Sequence, residues 1–211
     1  MTDIIIPIVF PEYKITVETP ALEFDLFPWT ELDNVSFKGS KEKISNLGHA
    51  GILLIQSKTG KAKYYEYGRY DYPELRGAVR RLPVPNANVT GDGIHLPSLV
   101  PVLHKISSRA GKGSKIEGVF LESQGSFVKL NNKAMTIKDQ NKNPKRIPYN
   151  ITTNSCIHFV KKLVELAGKE TPWMIDPRPN SYIGEFRDDY PDLDYTPKNR
   201  SLYIETVGNI K

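Results

Sequence analysis

Residues 153–160, Thr-Asn-Ser-Cys-Ile-His-Phe-Val, contain Cys156, the only cysteine of the 211-residue chain. An irregular stretch rich in asparagine and proline ends here, and apolar residues at helical spacing follow it. Those residues are Phe159, Val160, Leu163, Val164 and Leu166, and Gly168 ends the pattern. Asn154 or Ser155 can cap such a helix, so the sequence predicts that Cys156 lies in its first turn.

That position has two interpretations. A thiol in the first turn faces backbone N–H groups that lack helical partners and the positive end of the helix dipole, both of which stabilise a thiolate. A lone cysteine followed by apolar residues is, however, most often a small buried core residue. Taken alone, the stretch favours the structural interpretation, and the rest of the chain has to decide between the two.

The composition sets the protein class. Hydrophobic residues make up 39% and charged residues 25% of the chain, which is typical of a globular protein, and the length predicts a single domain over residues 1–211. A single cysteine excludes an internal disulfide. The apolar residues 1–10 lack a cationic start and a cleavage site, so we expect no ordinary secretory signal. A stretch of about 20 apolar residues is also missing, so we expect no membrane span.

Charge is unevenly distributed around the net value of +5. Residues 105–146 contain ten Lys or Arg against three acidic residues, and residues 165–194 contain eight acidic residues against three basic ones. The basic stretch suits an anionic polymer, or equally a solvated lysine-rich surface. Motifs for nucleic-acid binding, cofactors or metal ions are missing from the sequence, so we expect none of these ligands.

A β-hairpin is predicted upstream of the cysteine. Residues 48–55, GHAGILLI, read as a strand, Ser-Lys-Thr-Gly at 57–60 as a turn, and residues 61–68, KAKYYEYG, as the returning strand. With Lys58 and Thr59 at the turn centre, residue 49 lies opposite residue 68.

This register decides which side chains share a sheet face with His49. Tyr64 and Glu66 fall on its face, whereas a slip of one residue would replace them with Tyr65 and Tyr67. Asp71, just beyond the hairpin, is a second candidate acid, which we interpret more readily as surface charge. Gly48 and Gly51 are expected to leave room around the imidazole for a substrate cleft.

Periodicity and turn residues predict the remaining elements. Predicted strands cover residues 3–10, 13–18, 35–37, 77–83, 116–122 and 201–207. Predicted helices cover residues 96–108, 127–137 and 183–190. The proline-rich residues 171–182 are predicted to form a stiff loop that walls a cleft.

Three chemical groups of a thiol hydrolase are therefore available. A thiolate nucleophile needs a base that holds its proton and a third group that fixes the imidazole tautomer. Cys156, His49 and an acid on the neighbouring strand supply these groups, with Glu66 preferred over Tyr64 and Asp71. The Cys156 N–H would hold the oxyanion together with a second donor that the sequence does not identify. His158, two residues later on the helix, points away from the thiol.

Two motifs resemble a known family. Residues 48–52, GHAGI, and residues 154–160, NSCIHFV, resemble the circularly permuted papain-like fold, in which a histidine strand precedes an Asn-Cys-x-x-Phe-like helix. That group includes permuted NlpC-type cell-wall peptidases and lecithin:retinol acyltransferase-like enzymes. Ser155, inserted between Asn154 and Cys156, departs from the pattern and leaves the role of Asn154 open.

Two further strings, YYEYGRYD at 64–71 and DPRPNSY at 176–182, are similar to proteins encoded with bacterial type VI secretion systems. The resemblance covers residues 45–190. It implies an α+β fold in which an antiparallel sheet packs against the nucleophile helix and a few other helices. Residues 1–44 would then be N-terminal strands and loop, residues 45–190 the papain-like core, and residues 191–211 a C-terminal strand.

The resemblance also implies a function. It implies a cysteine peptidase or amidase that cuts amide bonds of peptidoglycan peptides, as an antibacterial effector delivered into a competitor's periplasm. Cys156 would be the nucleophile and His49 the general base, with Glu66 as the orienting acid. A peptidoglycan peptide, a secretion-system carrier and an immunity protein are the partners it implies, and such delivery would explain the missing signal peptide.

Two alternatives remain open at this point. An acyltransferase or lipid hydrolase could use the same Cys156–His49 pair, and it would need an apolar channel or membrane-facing segment. A non-catalytic binding or adaptor module of a secretion system could keep the fold, and it predicts that Cys156 is buried away from His49.

Overall fold

The computed structural model describes residues 2–13, 15–17, 22–25, 34–37, 42–44, 48–71, 76–174 and 176–210. Its strands are β1 Asp3–Phe10, β2 Ile15–Val17, β3 Leu22–Asp25, β4 Asn34–Phe37, β5 Glu42–Ile44, β6 His49–Ile55, β7 Ala62–Gly68, β8 Ala78–Leu82, β9 Val89–Thr90, β10 Gly93–Ile94, β11 Ile116–Val119, β12 Leu121–Ser123, β13 Asp192–Thr196, β14 Ser201–Ile204 and β15 Gly208–Ile210. Its helices are α1 Leu99–Arg109, α2 Phe127–Asp139, α3 Cys156–Leu166 and α4 Pro179–Asp189, and single 3₁₀ turns cover Leu96–Ser98 and Gln140–Lys142.

One antiparallel sheet dominates the described part of the chain. Its nine strands run in the order β15-β14-β13-β11-β1-β6-β7-β8, and β12 also pairs with β1. Strand β1 lies at the centre and is buried along its whole length, as expected for a continuous apolar run. The predicted α+β class, with a large antiparallel sheet and several helices, is confirmed.

The predicted strand over residues 116–122 is instead two strands, β11 and β12. Both pair with β1 in the same register, with Ile5 opposite Leu121 and Ile8 opposite Gly118. The ladder is interrupted between them, where Pro7 of β1 has no N–H to donate. Gly118 allows the close approach there, because a Cβ on it would lie 2.3 Å from the Pro7 carbonyl oxygen.

Helices cover both faces of the sheet. Helices α2, α3 and α4 pack on one face, where α3 contacts β6 and β7. Helix α1 packs on the other face through Leu99, Val102, Leu103 and Ile106. Side chains alternate along β6, so Ala50, Ile52 and Leu54 face α3. A bilayer crossing needs a longer apolar helix than any that the described residues form.

Two boundaries near the C-terminus were predicted wrongly. The single C-terminal strand expected over 191–211 is three antiparallel strands, β13 to β15, and the strand predicted for 201–207 ends at Ile204, where Val207 N–H bonds back to the Ile204 carbonyl. The helix predicted from residue 183 begins at Pro179, inside the predicted stiff loop, because proline is favourable at the first helical position. The predicted strands at 13–18 and 35–37 correspond to β2 and β4, with residues 14 and 18 outside the described ranges.

Candidate active site

Helix α3 begins as the sequence predicts. Ser155 is the N-cap, in an extended conformation, and Cys156 is the first helical residue. The Ser155 backbone N–H donates to Nδ1 of His158 over 3.3 Å, and the Ser155 hydroxyl lies 2.9 Å from the same nitrogen. This reciprocal cap engages His158 at Ser155, so its ring is not directed at the thiol. Cys156 itself is buried.

The hairpin places His49 beside the helix start. Strands β6 and β7 pair with Gly51 opposite Glu66 and Ile52 opposite Tyr65. The same register puts His49 opposite Gly68, so the predicted hairpin and its register are confirmed. His49 is buried, and the Cys156 thiol is one of its hydrogen-bonding partners.

Three polar groups meet at the imidazole. Nε2 of His49 lies 3.1 Å from Oε2 of Glu66 and 2.8 Å from the Tyr70 hydroxyl. Tyr70 also hydrogen-bonds Glu66. With His49 protonated, its Nε2–H is shared by Glu66 and Tyr70, and Tyr70 donates its own proton to the carboxylate. That arrangement leaves Nδ1 as the ring nitrogen available to Cys156.

Electrostatics favour the charged forms of His49 and Glu66. Burial alone would lower the pKa of His49, but the hydrogen bonds and negative charges of Cys156 and Glu66 outweigh it and raise the pKa to about 10. Burial would raise the pKa of Glu66, yet the hydrogen bond and the charge of His49 hold it below its usual value. The site therefore favours an imidazolium facing a carboxylate.

The other predicted candidates lie in other positions. Tyr64 donates to Glu66 over 3.3 Å and reaches His49 only through that carboxylate. Asp71 accepts from the backbone N–H groups of Arg76 and Gly77 and forms an ion pair with Arg146. Tyr65 and Tyr67 project from the face that packs on α3. Of the candidate acids, the structure brings Glu66 to the imidazole.

The room expected around His49 is filled. A Cβ on Gly51 would lie 2.2 Å from the Tyr64 hydroxyl, and one on Gly48 would lie 2.0 Å from Oδ1 of Asn180. The prediction that these glycines open a cleft is therefore wrong. They accommodate the Tyr64 ring and the start of α4 instead.

Two tyrosines at the site are not among the candidates that the sequence predicts. Tyr70 lies two residues beyond the end of β7 and contacts His49, and Tyr149, seven residues before Cys156, hydrogen-bonds the thiol. Burial and the negative charge of Cys156 raise the pKa of Tyr149 well above its usual value, so its hydroxyl remains a donor. Neither residue lies in a periodic segment, so the hydrophobic pattern of the sequence does not single them out.

The loop that carries Tyr149 is fastened at several points. Tyr149 N–H donates to the Arg76 carbonyl over 2.5 Å. Nδ2 of Asn154 donates to the carbonyls of Ile147 and Pro148 and to the Tyr67 hydroxyl. The role of Asn154, which the sequence left open, is thus to hold this loop against β7.

Aromatic rings line the remaining side of His49. The Phe10 ring stacks on the imidazole at 6.3 Å between centroids, and the Tyr13 ring lies 5.3 Å away. Across the ranges that the structure describes, His, Cys, Asp and Glu form no cluster of three or more that could hold a metal ion. The arrangement brings together a thiol, an imidazole and a carboxylate.

Comparison with known proteins identifies the family. The family model described as "Type VI secretion system effector TseH-like" matches residues 5–171. The chain belongs to this family of TseH-like type VI secretion system effectors. It is similar to the crystal structure of the type VI secretion system effector TseH, with 31% sequence identity and a TM-score of 0.75, over 97% of this chain and 98% of that one. A comparison with curated proteins gives no match.

The family confirms one part of the predicted function. The protein is a type VI secretion effector, which implies partners in a secretion system and delivery into target cells. The papain-like relationship and the hydrolase chemistry stay predictions.

Proposed function

We propose that this effector is a cysteine amidase of the permuted papain-like type that hydrolyses amide bonds in peptidoglycan peptides of a target cell. The observation that carries the proposal is the contact of Cys156, at the start of α3, with His49, whose Nε2 lies 3.1 Å from Glu66. A thiol, an imidazole and a carboxylate in this order make up the machinery of a thiol hydrolase.

Each group then has a role. The Cys156 thiolate attacks the scissile carbonyl carbon, and His49 delivers a proton to the leaving amine. Water, deprotonated by His49, cleaves the thioester and restores the thiol. Glu66 orients the imidazole and stabilises its positive charge. The Cys156 N–H at the helix start and the Tyr149 hydroxyl supply the two donors for the oxyanion.

The domain, partners and site of action complete the proposal. Residues 1–211 form one catalytic domain, a view supported by a sheet that includes strands from both ends of the chain. The substrate lies in the periplasm of the target cell, so the producing cell needs an immunity protein. A secretion-system carrier delivers the effector.

The alternatives fit the site less well. A non-catalytic adaptor should bury Cys156 away from His49, whereas the two side chains are hydrogen-bonded. An acyltransferase or lipid hydrolase should line the thiol with an apolar channel. The hydrogen-bonding partners described for the Cys156–His49 pair are instead polar groups, namely Glu66 and the hydroxyls of Tyr70 and Tyr149.

The test is a digest of purified peptidoglycan with the wild type and with Cys156→Ala, in which new amines are mapped by mass spectrometry. We expect one class of new amine with the wild type and none with the variant; matching digests would refute the amidase. Alkylation of Cys156 by iodoacetamide at neutral pH, compared with His49→Ala, tests the thiol itself. Labelling of the wild type at the rate of a free cysteine would refute every reading that needs an activated thiol.

A further inference from the structure

Two arginines lie at the site, and each stacks on a tyrosine that contacts the Cys156–His49 pair. The Arg80 guanidinium lies 4.4 Å from the ring centroid of Tyr70, which bonds His49. The Arg69 guanidinium lies 5.3 Å from the ring centroid of Tyr149, which bonds Cys156. Both arginine residues are exposed.

The charges of the two arginines are balanced differently. Nε of Arg80 lies 3.9 Å from Oε1 of Glu66, so a carboxylate of the protein already offsets its charge. Arg69 takes part in none of the ion pairs formed among the described residues. Stacking on Tyr149 fixes its guanidinium while its N–H groups remain available to a ligand.

The position of Arg69 relative to the nucleophile limits where such a ligand can bind. One tyrosine ring separates the guanidinium from the thiol, because the hydroxyl of Tyr149 contacts Cys156 and its ring contacts Arg69. An extended peptide advances about 3.3–3.6 Å per residue, so a group held at Arg69 belongs to a residue close to the scissile bond.

We propose that Arg69 is a specificity residue that binds a free carboxylate of the peptide substrate next to the amide that Cys156 attacks. A guanidinium fixed at its face by an aromatic ring presents two parallel N–H groups, which match a carboxylate in bidentate geometry. Peptidoglycan stem peptides carry such free carboxylates. The inference rests on the proposed amidase function and deepens it by naming the recognised group.

The experiment uses the bond mapped in the peptidoglycan digest. Two synthetic peptides contain that bond, one with the nearest carboxylate free and one with it converted to a carboxamide. Both are cleaved with the wild type, Arg69→Gln, Arg69→Lys and Lys58→Gln. Lys58 is the matched control, because it is an exposed cation in the turn at the opposite end of the β6–β7 hairpin.

We expect amidation of the substrate to lower kcat/KM of the wild type and of Lys58→Gln about tenfold or more, mainly through KM. Arg69→Gln should show a similar loss with the free carboxylate and no further loss on amidation. Arg69→Lys should recover part of the loss, because a lysine keeps the charge without the bidentate fork. Iodoacetamide labelling of Cys156 at the wild-type rate shows that each variant keeps its site intact.

The outcomes separate the two proposals. Absence of any cleaved bond with the wild type overturns the amidase and, with it, the role of Arg69. Cleavage of both peptides at equal rates by the wild type, or a mapped bond with no neighbouring carboxylate, overturns the role of Arg69 alone.

Discussion

Glu66 and Asp71 lie five residues apart, and each carboxylate lies near an arginine side chain. Their other hydrogen-bonding partners differ. Glu66 projects from β7 and binds side chains that carry protons: His49, Tyr64 and Tyr70. Asp71 lies beyond the end of β7 and binds two backbone N–H groups and the Arg146 guanidinium.

The difference shows how position assigns a role to a carboxylate. A strand register fixes Glu66 opposite Arg80 and on the face of His49, where it controls a titratable group. Asp71 accepts from the backbone N–H groups of Arg76 and Gly77, and its ion pair with Arg146 ties it to the loop that carries Tyr149. We therefore expect changes around Glu66 to affect chemistry and changes around Asp71 to affect stability.

The largest effect is expected for changes at His49, the partner of Glu66, and at Cys156. His49→Ala and Cys156→Ala should each lower amide hydrolysis by about four orders of magnitude or more, because nucleophile and base act as a unit. Combining them should cost little beyond either single change. Release of amines from peptidoglycan measures the loss, and thermal unfolding checks that the variants fold. Residual activity of a tenth or more in His49→Ala would show that another group serves as the base.

The direct comparison is Glu66→Gln with Asp71→Asn, each of which removes one charge at constant size. Glu66→Gln should lower kcat/KM about 10²-fold to 10⁴-fold, because the imidazolium loses its carboxylate. Asp71→Asn should lower the free energy of unfolding by about 1–3 kcal/mol, through its two N–H partners and Arg146, and leave kcat/KM near the wild-type value. Urea unfolding and steady-state kinetics measure both variants. A loss of kcat/KM in Asp71→Asn, together with a loss of stability alone in Glu66→Gln, would contradict both assignments.

Much of this geometry follows from local sequence rules. The turn residues and strand lengths determined the hairpin register, which placed Glu66 on the face of His49. The cap residue placed Cys156 at the helix start. Strand β13 could also have been predicted, because Leu193 and Tyr195, which are buried, alternate with polar residues. The prediction of one C-terminal strand did not separate it from the strands that follow.

The features of the site that the sequence did not predict depend on contacts between residues that are distant in sequence. Tyr149 reaches the thiol because its loop folds back onto the Arg76 carbonyl, and no periodic pattern encodes that path. The space at Gly48 is filled by Asn180, from an element more than a hundred residues away. A sequence shows where side chains are small, but which distant group fills the space is decided by tertiary packing.

The titration of His49 should also depend on Glu66 and not on Asp71. Its pKa is raised to about 10 from an ordinary value near 6.5. A raised pKa means that the contribution of the imidazolium to stability is fully present below about pH 6.5 and is lost as the pH rises through about 10. NMR titration should find His49 protonated at neutral pH in the wild type and Asp71→Asn, and a lower pKa in Glu66→Gln. An unchanged pKa in Glu66→Gln would contradict the electrostatic role of that carboxylate.

The smallest effect is expected for Tyr70→Phe, which removes one hydroxyl and keeps the ring on which Arg80 stacks. A hydrogen bond to a charged group is worth about 1.5–3 kcal/mol, so kcat should fall about tenfold to a hundredfold. The Tyr70 bond also lowers the pKa of Glu66. The acid limb of the pH–rate profile should therefore move to higher pH, which a merely structural hydroxyl would not cause.

Tyr65→Phe is the control, since its hydroxyl bonds Asn131 and it projects from the opposite face of the sheet. If both variants lose stability and neither shifts the acid limb, the Tyr70 hydroxyl has a structural role, like that proposed for Asp71, and does not act through Glu66.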